Sequence, residues 1–207
     1  MTCEKGTWGK QLVATAGSLA VAGIAIRFLF PAATLVKLSQ IVAPAAIAQT
    51  SQASVIYNNG KFASGYDMGV DTSEKRRDWV KKQSDGSLCM AYPSGQEWGA
   101  VFVTVGKPKP QPRPGKDFSS YTTLAIEMRG EQGGEQVEIG IKDKDDPDDG
   151  SEHKETVSLT SDWKTHTFPL TQFYTADLTN LYVVTEFVWG AGKPSSTVCF
   201  KKIEYRR

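Results

Sequence analysis

Two neighbouring segments of the sequence alternate apolar residues with polar and charged ones. Residues 124–129 read LAIEMR and residues 137–142 read VEIGIK. Because successive side chains of a β-strand point to opposite faces, this alternation predicts two strands with one apolar face each. A hairpin that turns around 130–135 would bury both apolar faces together and so fix the register. The predicted apolar pairs are Met128 with Val137, Ile126 with Ile139, and Leu124 with Ile141.

The same register predicts a charged outer face for the two strands. Glu127 would lie directly across from Glu138, with Arg129 and Lys142 beside them. Like charges in directly opposed positions destabilise a sheet. We therefore expect a cation, or a ligand that donates hydrogen bonds, to compensate the charges of this face. Such carboxylates can bind sugar hydroxyls, and a pair of them in a cleft can cleave a glycosidic bond. A solvated face balanced by the two basic residues is the structural alternative.

Further candidate ligand contacts lie elsewhere in the sequence. The segment 180–189 is apolar on both faces, which indicates a central strand, and Tyr182 and Glu186 are predicted to face outward from it. Glu186 would then add a third carboxylate to the same sheet. Trp98 has glycines nearby on both sides, and an open indole ring can stack on the apolar face of a sugar.

An acidic stretch at 143–152 contains five aspartates and one glutamate. Asp143, Asp145, Asp148 and Asp149 are candidate ligands for a structural calcium ion, because Ca²⁺ prefers oxygen ligands. Their spacing is not that of an EF-hand loop, and a solvated acidic turn is the alternative.

The first 48 residues predict export. Basic residues at 5 and 10 precede an apolar run over 12–26, and Ala46 and Ala48 are the small residues that a signal peptidase reads. We expect cleavage after Ala48, a secreted or periplasmic location, and one domain over 49–207. An uncleaved anchor is the alternative, and it would be the only membrane contact.

The two cysteines beyond the predicted signal suit an oxidising compartment. Cys89 and Cys199 are an even number there, so the sequence allows either one disulfide or two buried thiols on neighbouring strands. Residues 49–207 hold 20 basic and 22 acidic residues, a net charge of about −2. This balance gives no support to nucleic acid as a partner.

The remaining pattern is that of many short strands. We predict strands near 54–57, 77–82, 87–92, 97–105, 121–129, 136–143, 153–159, 163–169, 180–189 and 197–205, separated by glycine-rich turns. Residues 106–115 read GKPKPQPRPG and predict an extended crossover between sheets. The fold class is therefore all-β, a sandwich or barrel of antiparallel sheets.

Several sequence phrases occur in a characteristic order: LCMAY at 88–92, EWGAV at 97–101, DFSSYTTL at 117–124, DWK at 162–164, FPLTQF at 168–173 and TVCFKKIEY at 197–205. With them the chain resembles carbohydrate-binding modules of the galactose-binding-like type, such as family eleven and its relatives. The resemblance implies a two-sheet antiparallel jelly-roll sandwich that binds an oligosaccharide or polysaccharide.

Three functional hypotheses follow. The first is an exported, non-catalytic carbohydrate-binding module that holds its glycan on one sheet face through Glu127, Arg129, Glu138, Lys142, Glu186, Trp98 and Tyr182. The second is a glycoside hydrolase or polysaccharide lyase that uses paired carboxylates, although the sequence carries no nucleophile elbow, phosphate loop or dinucleotide fingerprint. The third is an assembly or interaction protein of the cell envelope.

Overall fold

A computed structural model describes residues 53–109 and 111–207. They form twelve β-strands and two short 3-10 helices, at Leu170–Gln172 and Leu178–Asn180. The strands are β1 (Ser54–Asn58), β2 (Lys61–Phe62), β3 (Tyr66–Thr72), β4 (Val80–Lys82), β5 (Leu88–Tyr92), β6 (Gly99–Val105), β7 (Thr123–Gly130), β8 (Gln136–Asp143), β9 (Lys154–Ser158), β10 (Lys164–Pro169), β11 (Leu181–Trp189) and β12 (Ser196–Arg206). All ten predicted strands are confirmed, and β2 and β3 are additional.

The strands form two antiparallel sheets. The first sheet has the order β10-β7-β12-β1-β2, and β5 pairs with β12 and with β4. The second sheet has the order β3-β6-β11-β8-β9. From β5 onward the chain changes sheet at every connection except the one between β8 and β9, which gives the two interleaved halves of a jelly-roll sandwich.

The core fills the space between the sheets. Ile126 on β7 and Ile139 on β8 are both fully buried, one from each sheet. Tyr92 and Trp189 stack in parallel with ring centroids 5.4 Å apart, so aromatic rings close one part of the core. Aromatic burial of this kind is a large source of stability in a sandwich of this size.

The predicted hairpin between β7 and β8 is wrong. β7 pairs with β10 and β12 in the first sheet, whereas β8 pairs with β9 and β11 in the second. The apolar residues of both strands are buried as predicted, but they face each other across the core. The alternation determines which face of a strand is buried, but it does not determine which strand is its hydrogen-bonded neighbour. Two strands on opposite sides of a core therefore have the same pattern as the two strands of a hairpin.

The two cysteines form a disulfide. Cys89 on β5 and Cys199 on β12 lie directly opposite each other, with their Cα atoms 4.0 Å apart. The bond joins positions 110 residues apart in sequence and links two neighbouring strands of the first sheet.

The predicted signal or anchor at 1–48 lies outside the described residues. In the part of the chain that the structure describes, no helix combines the length and hydropathy that a membrane crossing requires.

Candidate functional site

A groove of about 540 Å³ runs over the outer face of the second sheet. Its floor comes mainly from β6 and β11, the two neighbouring strands at and beside the centre of this sheet. The lining residues are Asp71, Trp98, Ala100, Phe102, Lys109, Arg113, Lys142, Asp148, Asp149, Gly150, Glu152, Lys154, Tyr182, Val183, Glu186 and Val188.

Aromatic and apolar side chains supply part of this floor. Trp98, directly before β6, has 44% of its surface exposed, and Phe102 is partly exposed farther along β6. Ala100 and Val188 lie directly opposite each other on β6 and β11. Their short side chains form an apolar part of the groove floor near Trp98. Exposed aromatic rings beside short apolar side chains can stack on flat, partly apolar ligands.

The proline-rich crossover forms one wall of the groove. The backbone N–H of Lys109 donates to the Tyr182 hydroxyl at 2.6 Å, and the Arg113 guanidinium lies over the Tyr182 ring, 5.4 Å from its centroid. Lys109 also binds Asp71 through its ammonium group at 2.8 Å. Burial opposes ionisation of Asp71, but the hydrogen bond and charge of Lys109 outweigh it and lower the Asp71 pKa. The crossover is thus tied to the sheet at two points.

A buried lysine organises the opposite wall. Lys142 on β8 has four carboxylates around its ammonium group: Glu152 at 3.1 Å, Asp146 and Asp148 at 3.7 Å, and Glu186 at 3.8 Å. Burial disfavours the Lys142 cation, yet these carboxylates outweigh burial and raise the Lys142 pKa. Lys142 therefore holds the acidic loop against the sheet.

Glu186 and Glu152 interact directly in this cluster. Burial, opposed by the charge of Lys142 and reinforced by that of Glu152, raises the pKa of Glu186 to about 8. Glu152 shifts the other way: burial works against ionisation, but its contacts with Lys154 and Glu186 lower the Glu152 pKa. Glu186 Oε1 is buried without a hydrogen-bond donor among the described residues, and Glu152 Oε2 is buried with the Lys142 ammonium 3.1 Å away. The raised pKa favours the neutral form of Glu186, in which its proton can lie between the two carboxyl groups.

The aspartates predicted to bind calcium contact other parts of the protein. Asp143 accepts hydrogen bonds from the backbone N–H of Asp145 and of Asp177, and Asp148 pairs with Arg113. Asp145 pairs with Lys144, and Asp149 accepts from Ser151. Within residues 53–109 and 111–207, no group of three or more His, Cys, Asp or Glu side chains is arranged to hold a metal ion. A structural calcium ion stays a prediction, testable as a calcium-dependent rise in melting temperature.

The structure brings four of the seven predicted ligand residues together: Trp98, Lys142, Tyr182 and Glu186 all line the groove. Glu138 lies on β8 opposite Val188, outside the groove lining. The predicted neighbours Glu127 and Arg129 lie on β7 in the first sheet, so a single patch that includes them is wrong. Glu127 pairs there with Lys201 at 2.9 Å, and Arg129 lies 5.1 Å from the Trp163 ring centroid.

Sequence reasoning missed several groove residues. Phe102 was detectable, because the buried positions Val101 and Val103 imply that it faces outward. Lys109 and Arg113 lie in a crossover with no periodic pattern, and Asp71 lies on the missed strand β3. Glu152 was assigned only to the acidic stretch at 143–152. Its place in the groove was missed because its burial depends on contact with Lys142 on β8.

An open groove that combines exposed rings with hydrogen-bonding groups, on the face of a jelly-roll sandwich, suits a carbohydrate-binding module. The model of the family described as carbohydrate binding domain 30 matches residues 50–206. The chain therefore belongs to this carbohydrate-binding family.

Solved structures show the same fold. A family 30 carbohydrate-binding module of the cellulosomal cellulase Cel9D-Cel44B from Clostridium thermocellum is 18% identical, with a TM-score of 0.52 over 74% of this chain and 96% of that one. A family 29 carbohydrate-binding module is 15% identical, with a TM-score of 0.50 over 75% of this chain and 88% of that one. A search of curated proteins finds no match.

The comparisons decide between the functional hypotheses. A non-catalytic carbohydrate-binding module is confirmed as the class of protein, and neither the hydrolase or lyase hypothesis nor the envelope-assembly hypothesis is favoured. The narrower likeness to family eleven is not confirmed, because the matching model is that of family 30.

Proposed function

We propose that this protein holds an oligosaccharide or polysaccharide chain in the groove over β6, β11 and β8. The observation that carries the proposal is the half-exposed Trp98 at a groove whose other lining residues are rich in hydrogen-bonding groups. Sugar rings present apolar faces to aromatic rings and hydroxyls to polar side chains, so both features are needed.

The proposed contacts divide into two kinds. Trp98 and Phe102 stack on sugar rings. Arg113 and Asp149 offer donors and acceptors along the walls. The groove carries both signs of charge on its walls, which suits a ligand that is recognised through hydroxyl groups.

Calorimetric titration of the full chain against a panel of soluble glycans tests this function. The panel includes cello-oligosaccharides, since the structural neighbour from Clostridium thermocellum belongs to a cellulase. We expect Trp98→Ala to weaken binding at least tenfold, roughly the effect of losing a central aromatic anchor. Trp163→Ala is the matched control, because Trp163 is a partly exposed tryptophan that contacts Arg129 and Lys201 of the first sheet.

Two results would contradict the proposal. One is the absence of binding to every glycan of the panel. The other is equal affinity in the Trp98→Ala and Trp163→Ala variants, which would place the glycan outside the groove.

We also propose that the protein acts outside the cytoplasm, in a secreted or periplasmic location. The order of basic, apolar and small residues in 1–48 and the disulfide between Cys89 and Cys199 support this location. Cell fractionation with N-terminal sequencing of the recovered protein tests it. Recovery of the uncleaved chain in the cytoplasm would contradict it.

A further inference from the structure

One row of residues crosses all five strands of the second sheet beneath the groove. Adjacent positions in the strand register are Gly69 on β3, Phe102 on β6, Glu186 on β11, Gly140 on β8 and Lys154 on β9. Phe102 and Glu186 are thus direct cross-strand neighbours, and each has a glycine on its far side.

Both side chains lie over their glycine neighbours. A Cβ atom at position 69 would be 2.2 Å from Phe102 Cε2 and 2.3 Å from Phe102 Cζ. A Cβ atom at position 140 would be 2.5 Å from Glu186 Oε1 and 3.1 Å from Glu186 Cγ. The Phe102 ring therefore leans toward β3 and the Glu186 carboxyl leans toward β8, in opposite directions.

This divergence matters because directly opposed side chains on neighbouring strands ordinarily contact each other. Phe102 and Glu186 would then cover the space between β6 and β11. Instead each turns away from the other, and the centre of the groove between these two strands is left open.

The backbone does not require glycine at either position. Neither Gly69 nor Gly140 has a positive φ angle, so both adopt conformations that alanine also adopts. Glycine inside a strand weakens the strand and often marks a place where something approaches closely. Here that neighbour is the side chain of a groove residue.

We infer that Gly69 and Gly140 are specificity-determining positions, which keep the centre of the groove open for the glycan by giving Phe102 and Glu186 room to lean apart. The inference rests on the proposed function, since the open centre is taken as the path of the bound chain. A methyl group at either position pushes the neighbouring side chain back into the groove. The atoms that the methyl group would meet first belong to side chains rather than to the backbone, so the neighbouring side chain is displaced before the strand is. At position 140 this displacement also moves Glu186 relative to Lys142.

The test compares Gly69→Ala and Gly140→Ala with Gly190→Ala by titration against the tightest glycan of the panel. Gly190 is the matched control, because its φ is not positive and a Cβ there would meet no atom within 4 Å. We expect each of the first two variants to bind about tenfold more weakly, as displacement of a contact residue does, and the control to bind as the parent does. Equal affinities in all three variants would overturn the inference.

A double variant separates blockage by the ring from general damage to the sheet. In a Phe102→Ala background, Gly69→Ala no longer has a ring to displace, so we expect it to cost less than about twofold there. The same tenfold loss in both backgrounds would overturn the role given to Phe102.

Crystal structures of the two alanine variants decide the inference independently of binding. A Phe102 ring or Glu186 carboxyl displaced into the groove supports it, and unchanged side chains overturn it. If the parent protein binds no glycan, the proposed function fails while these structures still settle whether the glycines hold the groove open.

Discussion

The outer faces of the two sheets carry similar residue types but use them differently. On the first sheet, Glu127 pairs with Lys201, and each side chain keeps more than a quarter of its surface exposed. On the second sheet, Lys142 and Glu186 are nearly buried beneath loops, with side chains 10% and 5% exposed. The first face has separate charge pairs, between β7 and β12 at Glu127 and within β12 at Glu204, whereas the second face has four carboxylates around the single cation Lys142.

The loops account for this difference. The crossover that contains Lys109 and Arg113 and the acidic loop at 143–152 both fold over the second sheet, and so they turn a flat face into a groove. Burial then strengthens each charge interaction and makes an unpaired charge costly. The contrast predicts that equivalent substitutions on the two faces have unequal effects.

Removal of the buried cation has the largest expected effect. We expect Lys142→Met to lower the free energy of unfolding by about 3–5 kcal/mol, because it leaves buried carboxylates without their cation. Lys201→Met, at the exposed pair on the first sheet, should cost less than about 1 kcal/mol. Chemical denaturation of both variants measures the difference, and equal losses would refute the contrast between the faces.

Removal of the disulfide comes next. Replacement of Cys89 and Cys199 by serine releases a link between positions 110 residues apart, which should cost about 2–4 kcal/mol. The bond belongs to the first sheet, so glycan affinity in the groove should stay at the parental level once the variant is folded. Thermal unfolding and titration of the double variant measure both quantities, and a parallel loss of affinity would show that the two sheets are coupled.

The pH dependence of stability provides a smaller effect. The Glu186 pKa is about 8 in the folded protein and 4.5 ordinarily, so the folded state keeps this proton at higher pH than the unfolded state. Protonated Glu186 therefore contributes fully to the free energy of unfolding below pH 4.5, and this contribution is lost as the pH rises through about 8. Glu186→Gln, which keeps a neutral side chain, should flatten the fall in melting temperature between about pH 5 and 9 by a few degrees. An unchanged pH profile would show that Glu186 is already ionised.

The smallest expected effect is at Glu127. Because Glu127 lies on the first sheet, Glu127→Ala should leave glycan affinity within about twofold of the parent. Titration beside Trp98→Ala measures this, and a loss comparable to that of Trp98→Ala would move the binding surface to the first sheet.

Much of the fold was readable in the sequence. The alternation in 124–129 and 137–142 correctly predicts both strands and their buried residues, and the doubly apolar segment 180–189 correctly predicts the central strand β11. Strand β3 was missed because its two aspartates and one glycine lower its β-propensity. Yet Gly69 on that strand is the position that makes room for the Phe102 ring.

The sequence by itself determined the all-β class, the inward and outward faces of the strands, and Trp98, Tyr182 and Glu186 as outward candidates, since these depend on local periodicity. Only the tertiary structure decided that Glu127 and Glu138 lie on different sheets, that the two cysteines are bonded, and that two loops enclose a groove around Lys142. Those features depend on contacts between residues distant in sequence, and period-two alternation is the same whether two strands share a sheet or face each other across the core.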